Sequence, residues 1–186
     1  MHLEIETKVK IKNVSDLRSR IKKIAKHKNN ILKKDEYFAV VHDGYPKKAF
    51  RIRFDGSWYV VNFKKHLMEL SDKEIVVKEE YEINLGNKEH FENFMSLLSD
   101  LKFEKWIKKE KKSEIYLYNK DKRAGIEINN VKKLGWFLEI EYLCSRNEVE
   151  RAKKVIREIL LKLGIDKRDI DNTGYTKMLW GKFGEL

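Results

Sequence analysis

Apolar and polar residues alternate at period two along most of the chain, and stretches of helical spacing interrupt the alternation. Leu3 to Lys12 alternates, and Asn13 and Ser15 then offer caps for a helix through about His27, with Leu17, Ile21, Ile24 and Ala25 on one face. Tyr37 to His42 reads as a strand, Asp43-Gly44 with Pro46 as a turn, and Ala49 to Phe54 as the next strand. Asp55-Gly56 predicts a tight hairpin into Trp58 to Phe63. Lys64 to Asp72 is polar and reads as a loop before a long strand from Lys73 to Leu85. Asn87 caps a second predicted helix to about Leu101, in which Phe91, Phe94, Met95, Leu98 and Leu101 recur at helical spacing. Strands follow at about Phe103 to Tyr118, Arg123 to Asn129 and Phe137 to Cys144. Glu148 to Leu163 is a third amphipathic helix ended by Gly164, and a short helix is predicted around Tyr175 to Trp180.

Strands outnumber helices, and hairpin turns separate most of them. The expected class is therefore α+β, as one domain over residues 1–186 built on an antiparallel eight-stranded closed β-barrel with helices packed outside. No internal repeat or low-complexity linker divides the chain.

Side chains two apart on a strand share a face and sit roughly 6.5 Å apart. Glu4, Glu6 and Lys8 thus fall on one face of the first strand, with Leu3, Ile5, Thr7 and Val9 on the other. Arg51 and Arg53 repeat the arrangement, as do Lys78, Glu80 and Glu82, and then Glu139 and Glu141. A half-solvated sheet would turn such charges to water. Three amphipathic helices need an apolar partner, however, and a closed barrel covered by them on its apolar face must carry the charges inside.

Composition bounds the partners by sign. Lys plus Arg number 41 against 30 Asp plus Glu, a formal charge of +11 that raises the local concentration of phosphate esters, nucleic acid or an anionic membrane surface and names a sign, not a partner. Cys144, the single cysteine, excludes an intramolecular disulfide and any zinc site with two or more thiolates. No apolar run reaches spanning length and Met1 to Lys12 lacks the apolar core of a secretory signal, so no membrane association and a cytoplasmic location are expected. His2, His27, His42, His66 and His90 have no metal-ligand spacing and read as surface or loop residues; the four tryptophans read as packing. Carboxylate pairs suit a magnesium or manganese ion, and guanidinium and ammonium groups suit phosphate oxygens.

The run Glu4-Ile5-Glu6-Thr7-Lys8 resembles the E-x-E-x-K signature of the CYTH superfamily, which groups class IV adenylyl cyclases with thiamine triphosphatases and related triphosphate tunnel metalloenzymes. Asp35-Glu36-Tyr37-Phe38 is similar to its D-x-Y-F segment, seen especially in cyclase-like members, and Arg51-Ile52-Arg53 to its R-x-R strand. Phe63-Lys64-Lys65 resembles the lysine after the next hairpin, and Lys78-Glu79-Glu80-Tyr81-Glu82 the R-E-E-x-E segment. Val131 to Glu141 is close to V-x-x-L-G-x-F-x-E-I-E, and the tail at Tyr175 resembles S-Y-x-x-L-L, with a structural role.

The resemblance implies a metal-dependent enzyme acting on a triphosphate substrate inside the barrel, most like a class IV adenylyl cyclase converting ATP to cyclic AMP and pyrophosphate. The alternative is a hydrolase of thiamine triphosphate, a nucleoside triphosphate or inorganic tripolyphosphate, or a catalytically weak nucleotide- or polyphosphate-binding protein. It further implies that Glu4, Glu6, Glu139 and Glu141, assisted by Glu80 and Glu82, hold Mg2+ or Mn2+, and that Lys8, Arg51, Arg53, Lys64, Lys78 and Lys111 grip the triphosphate. Glu4, Glu6, Lys8, Glu139 and Glu141 form the implied catalytic set, while Asp35 reads as a turn cap outside it. A nucleic-acid-binding module would explain the basic excess but not the regular acids, so nucleic acid is not the expected partner.

Two positions depart from the pattern. The superfamily's K-x-R aligns with Lys111-Lys112-Ser113, which puts serine where arginine is expected, with Lys109 or Lys112 as available substitutes. The aspartate two residues before Val131 is Asn129, which keeps an oxygen for a metal or water but cannot be a general base.

Overall fold

The computed structural model describes residues 3–40, 44–46, 48–54 and 58–183. Its eight strands are β1 (Leu3–Lys10), β2 (Ala25–Val40), β3 (Phe50–Phe54), β4 (Tyr59–His66), β5 (Val76–Asn84), β6 (Phe103–Tyr118), β7 (Ala124–Val131) and β8 (Gly135–Cys144). They form a closed barrel in the order β1-β5-β4-β3-β2-β6-β7-β8. The helices are α1 (Val14–Ile24), α2 (Lys88–Asp100), α3 (Val149–Lys162) and α4 (Tyr175–Phe183). None of the described helices is long and apolar enough to cross a membrane. By its contacts the chain divides into two compact units, residues 1–32, 65–80 and 112–172 in the first and 33–64, 81–111 and 173–186 in the second.

In the first unit, β1, β7 and β8 are adjacent, and their apolar face carries Ile5, Val9, Ile126, Ile128, Leu138, Ile140 and Tyr142, all buried. Leu17 and Ile21 of α1 and Ala152, Ile156 and Ile159 of α3 complete that core. The helix ends follow the residues that set them. Asn13 accepts from the Asp16 N–H at 3.1 Å to open α1, and Gly164 at φ +62° closes α3. The turn between β7 and β8 closes with Leu134 N–H donating to the Val131 carbonyl at 3.0 Å, and Gly135 at φ +98° launches β8.

In the second unit, Phe38, Ile52 and Val61 of β2, β3 and β4 pack with Leu98 of α2, and Phe91, Phe94 and Met95 border the cluster. Tyr59 and Phe91 stack at 3.8 Å between ring centroids. In both units the helices cover the apolar strand face, which leaves the alternate residues on the inner face of the closed barrel.

Some expectations shift. The first helix ends at Ile24 rather than near His27, and β2 begins at once, twelve residues before the predicted Tyr37. Lys26 to Leu32 are all exposed, so no alternation announced that half of the strand. Lys64 to His66 continue β4 instead of opening a loop. Trp58 is 47% exposed, so its ring is only half covered. Val41, His42 and Asp43, the hairpin at Asp55-Gly56 and His2 lie outside the described residues.

Candidate functional site

The first unit carries an acidic inner face. β1 and β8 pair so that Glu6 stands opposite Glu141 and Lys8 opposite Glu139, and β7 places Glu127 opposite Glu139 and Gly125 opposite Glu141. Directly opposite residues share a sheet face, so Glu6, Lys8, Glu127, Glu139 and Glu141 form one patch over three adjacent strands. Glu4, Lys8 and Glu127 are buried on it. Glu4 stands opposite Lys78 of β5, and the Lys78 ammonium makes an ion pair with Glu6.

Burial lowers the Lys8 ammonium from the ordinary lysine range, against the pull of Glu139 and Glu6. The Lys8 backbone is pinned from the far end of the chain, its N–H donating to Asn172 Oδ1 at 2.9 Å and its carbonyl accepting from the Asp171 N–H at 2.9 Å. Gly125 leaves the Glu141 side chain its space, because a Cβ there would lie 3.3 Å from Glu141 Cγ.

The two departures meet here. Ser113 Oγ donates to Asn129 Oδ1, and Asn129 Nδ2 donates to Glu139 Oε2 at 2.6 Å, so a neutral pair orients one carboxylate of the patch. Ser113 and Asn129 are both buried.

The second unit carries a basic inner face built around one acid. The Asp35 side chain is 0% exposed, and Arg53 binds it two-pronged, Nε to Oδ1 at 2.5 Å and an η-nitrogen to Oδ2 at 2.9 Å. Lys109 Nζ lies 2.9 Å from the same carboxylate and Arg51 3.7 Å. Burial alone would raise the Asp35 carboxyl, but Lys109, Arg53 and Arg51 outweigh it and hold it well below the usual carboxylate range. Lys109 also donates to the Tyr37 hydroxyl at 3.0 Å, and Lys109 and Lys111 lie 5.5 and 6.0 Å from the centroid of the Tyr175 ring. Asn62, opposite Arg51, donates to Glu82 at 3.1 Å, and Lys64 follows Asn62 on the same strand face.

Each residue singled out in the sequence therefore lies on an inner-face position. In the first unit these are Glu4, Glu6, Lys8, Lys78, Glu80, Glu139 and Glu141, and in the second Arg51, Arg53, Lys64, Glu82 and Lys111. Three participants were not in that set. Glu127 was legible as the centre of the alternation Gly125, Glu127, Asn129 against Ile126 and Ile128. Lys109, named in the sequence only as one of two available substitutes for an arginine, pairs with Asp35 at 2.9 Å. Asp35 is the hub of the basic cluster and not a turn cap, because it is held by strand-to-strand ion pairs.

Among the described residues no three acidic, cysteine or histidine side chains converge on one point as they stand. Glu6 is turned to Lys78 and Glu139 to Asn129. The donor set nevertheless suits a hard divalent ion, since Glu6, Glu139 and Glu141 present carboxylate oxygens from two directly paired strands.

No protein-family profile and no curated protein sequence matches the chain. Solved structures do. A conserved hypothetical protein from Pyrococcus furiosus is 27% identical, with 94% of this chain and 98% of that one covered at a TM-score of 0.70. A candidate adenylate cyclase from Vibrio parahaemolyticus is 14% identical over 95% and 97% of the two chains, with a TM-score of 0.70. A candidate adenylyl cyclase from Hippeastrum with a dominant triphosphatase activity is 16% identical over 100% and 97%, with a TM-score of 0.62. With these solved structures the chain shares a fold, the closed antiparallel barrel.

Proposed function

We propose that the protein is a metal-dependent enzyme acting on a triphosphate-bearing small molecule, most like a class IV adenylyl cyclase. The observation that carries this reading is the sorting of charge on the inner strand faces, with carboxylates gathered on β1, β7 and β8 and cations gathered around Asp35. Both kinds of group are needed, because carboxylates alone repel a polyphosphate and cations alone do not place a metal.

Glu6, Glu139 and Glu141, with Glu4, would hold Mg2+ or Mn2+, and Glu80 and Glu82 would assist. The ion would supply charge neutralisation at phosphate oxygens where negative charge builds. Arg51, Arg53, Lys64, Lys109 and Lys111 bind and orient the triphosphate, while Lys8 and Lys78 neutralise it beside the carboxylates. In the cyclase reaction the ribose 3′ oxygen bonds to the α-phosphorus, the bond from that phosphorus to the α,β-bridging oxygen breaks, pyrophosphate leaves and the 3′ hydroxyl proton passes to solvent water. The chain's residues contribute register, holding the α-phosphorus rather than the γ-phosphorus at the reacting position.

Hydrolysis of the triphosphate is the second reading, favoured by the dominant triphosphatase activity of the Hippeastrum protein of the same fold. Incubation with ATP, thiamine triphosphate and tripolyphosphate in Mg2+ or Mn2+, followed by product chromatography, separates the two. Cyclic AMP with pyrophosphate supports the cyclase, orthophosphate supports the hydrolase, and absence of turnover on every substrate overturns both.

A further inference from the structure

Ser113 and Asn129 carry no charge, and their two hydrogen bonds run in one direction. The Ser113 hydroxyl donates to Asn129 Oδ1, which turns the amide so that Nδ2 meets Glu139, and Nδ2 donates to Glu139 Oε2 at 2.6 Å. Ser113 is 2% exposed and Asn129 0%, so water does not compete for either group. β7 thus offers Glu139 the carboxylate of Glu127 directly opposite and the amide of Asn129 on the diagonal, two residues along. A short hydrogen bond from a buried amide to an ionised carboxylate is of the stronger kind, and breaking it strands the amide N–H away from solvent.

Glu139 can meet a cation in two ways. A cation that takes one carboxylate oxygen leaves the Asn129 bond intact, whereas a cation that chelates both oxygens must break it. Glu6 is restrained in the same sense, because the Lys78 ammonium is paired with its Oε1. Magnesium and manganese accept single oxygens in a near-octahedral shell, while calcium gathers about six to eight oxygens and commonly draws carboxylates into two-oxygen contacts. The patch therefore selects by how its carboxylates are tied, and not only by how many it holds.

We propose that Asn129, aimed by Ser113, is a positioning residue that holds Glu139 to a single-oxygen contact and so makes the carboxylate patch discriminate against calcium. The inference rests on the reading of that patch as a metal site and deepens it by naming the residues that choose among divalent ions. Neither residue touches the ion. Their effect passes through Glu139, so it falls on the ratio of affinities for two ions more than on the affinity for one.

The test is resonance spectroscopy of Mn2+ bound to the full chain without triphosphate, with Ca2+ titrated in as competitor and thermal unfolding as the check on fold. The wild-type chain should need about tenfold or more Ca2+ over Mn2+ for half displacement. In Asn129→Ala the ratio should fall to within about threefold of unity, because the change releases Glu139 Oε2 and adds no new ligand. Ser113→Ala removes a single hydroxyl, is the milder change to the fold, and should lower the wild-type ratio by about threefold. Half displacement at equal Ca2+ and Mn2+ in the wild type, or an unchanged ratio in every variant that folds, overturns the positioning role while the metal reading stands. Mn2+ left mobile by the wild-type chain overturns the proposal, and Mn2+ left mobile with tripolyphosphate added as well overturns the metal reading with it.

Discussion

The acidic patch of the first unit and the basic cluster of the second solve opposite problems of burial. On β1, β7 and β8, Glu6 faces Glu141 and Glu127 faces Glu139 across adjacent strands, and like charges directly opposite are unfavourable unless a cation or a hydrogen-bond donor intervenes. Lys8, Lys78 and the neutral Asn129 are what intervene. Around Asp35 the surplus has the other sign, since one fully buried carboxylate is shared by Arg51, Arg53 and Lys109. The acid here organises the cations. The difference teaches that the first region is short of positive charge and the second short of negative charge, which a metal and a polyphosphate respectively would supply.

The comparison can be broken most severely at Asp35. Asp35→Asn removes the carboxylate shared by the buried Lys109 and the partly buried Arg51 and Arg53 and should cost about 3–5 kcal/mol of stability, read as a fall in Tm on the order of 10 °C. Added tripolyphosphate should restore more of that loss in the variant than it adds to the wild type. At the acidic patch, Glu6→Gln and Glu141→Gln should each lower turnover by about 100-fold or more with little change in Tm, measured by product chromatography and thermal unfolding. Arg51→Ala and Arg53→Ala should act mainly on placement and affinity, raising KM for the triphosphate about tenfold.

A pH titration of stability sharpens the same contrast. The folded Asp35 carboxyl sits well below its unfolded value, so its contribution is complete above the ordinary aspartate pKa of about 3.9 and is lost as pH falls toward the folded value. Wild-type stability should therefore fall below about pH 4 more steeply than that of Asp35→Asn, as followed by denaturant unfolding. The smallest effect is expected at Gly125→Ala, where the new methyl would press on Glu141 Cγ and should reduce turnover by only about twofold to fivefold without unfolding the chain.

The inner face was legible in the sequence wherever a strand alternates cleanly, as in Glu4, Glu6 and Lys8 against Ile5, Thr7 and Val9. It failed where alternation fails. Lys26 to Leu32 give no period because the whole run is exposed, so the first half of β2 could not be read. Asp35 was misjudged for a different reason. Its partners Arg51, Arg53 and Lys109 come from two other strands, and only the register that sets Asp35 opposite Arg53, together with burial, brings them to one carboxylate. Ser113 and Asn129 looked like two separate departures in the sequence, and the structure shows one hydrogen-bonded pair.

Manganese resonance spectroscopy offers the most direct test of the charge-sorted inner face. With tripolyphosphate present, the wild-type chain should immobilise Mn2+, Glu141→Gln should release it, and Arg53→Ala should weaken it only by weakening the polyphosphate. Mn2+ binding of equal strength in wild type and Glu141→Gln, or none in either, would contradict the assignment of the carboxylate patch as a metal site.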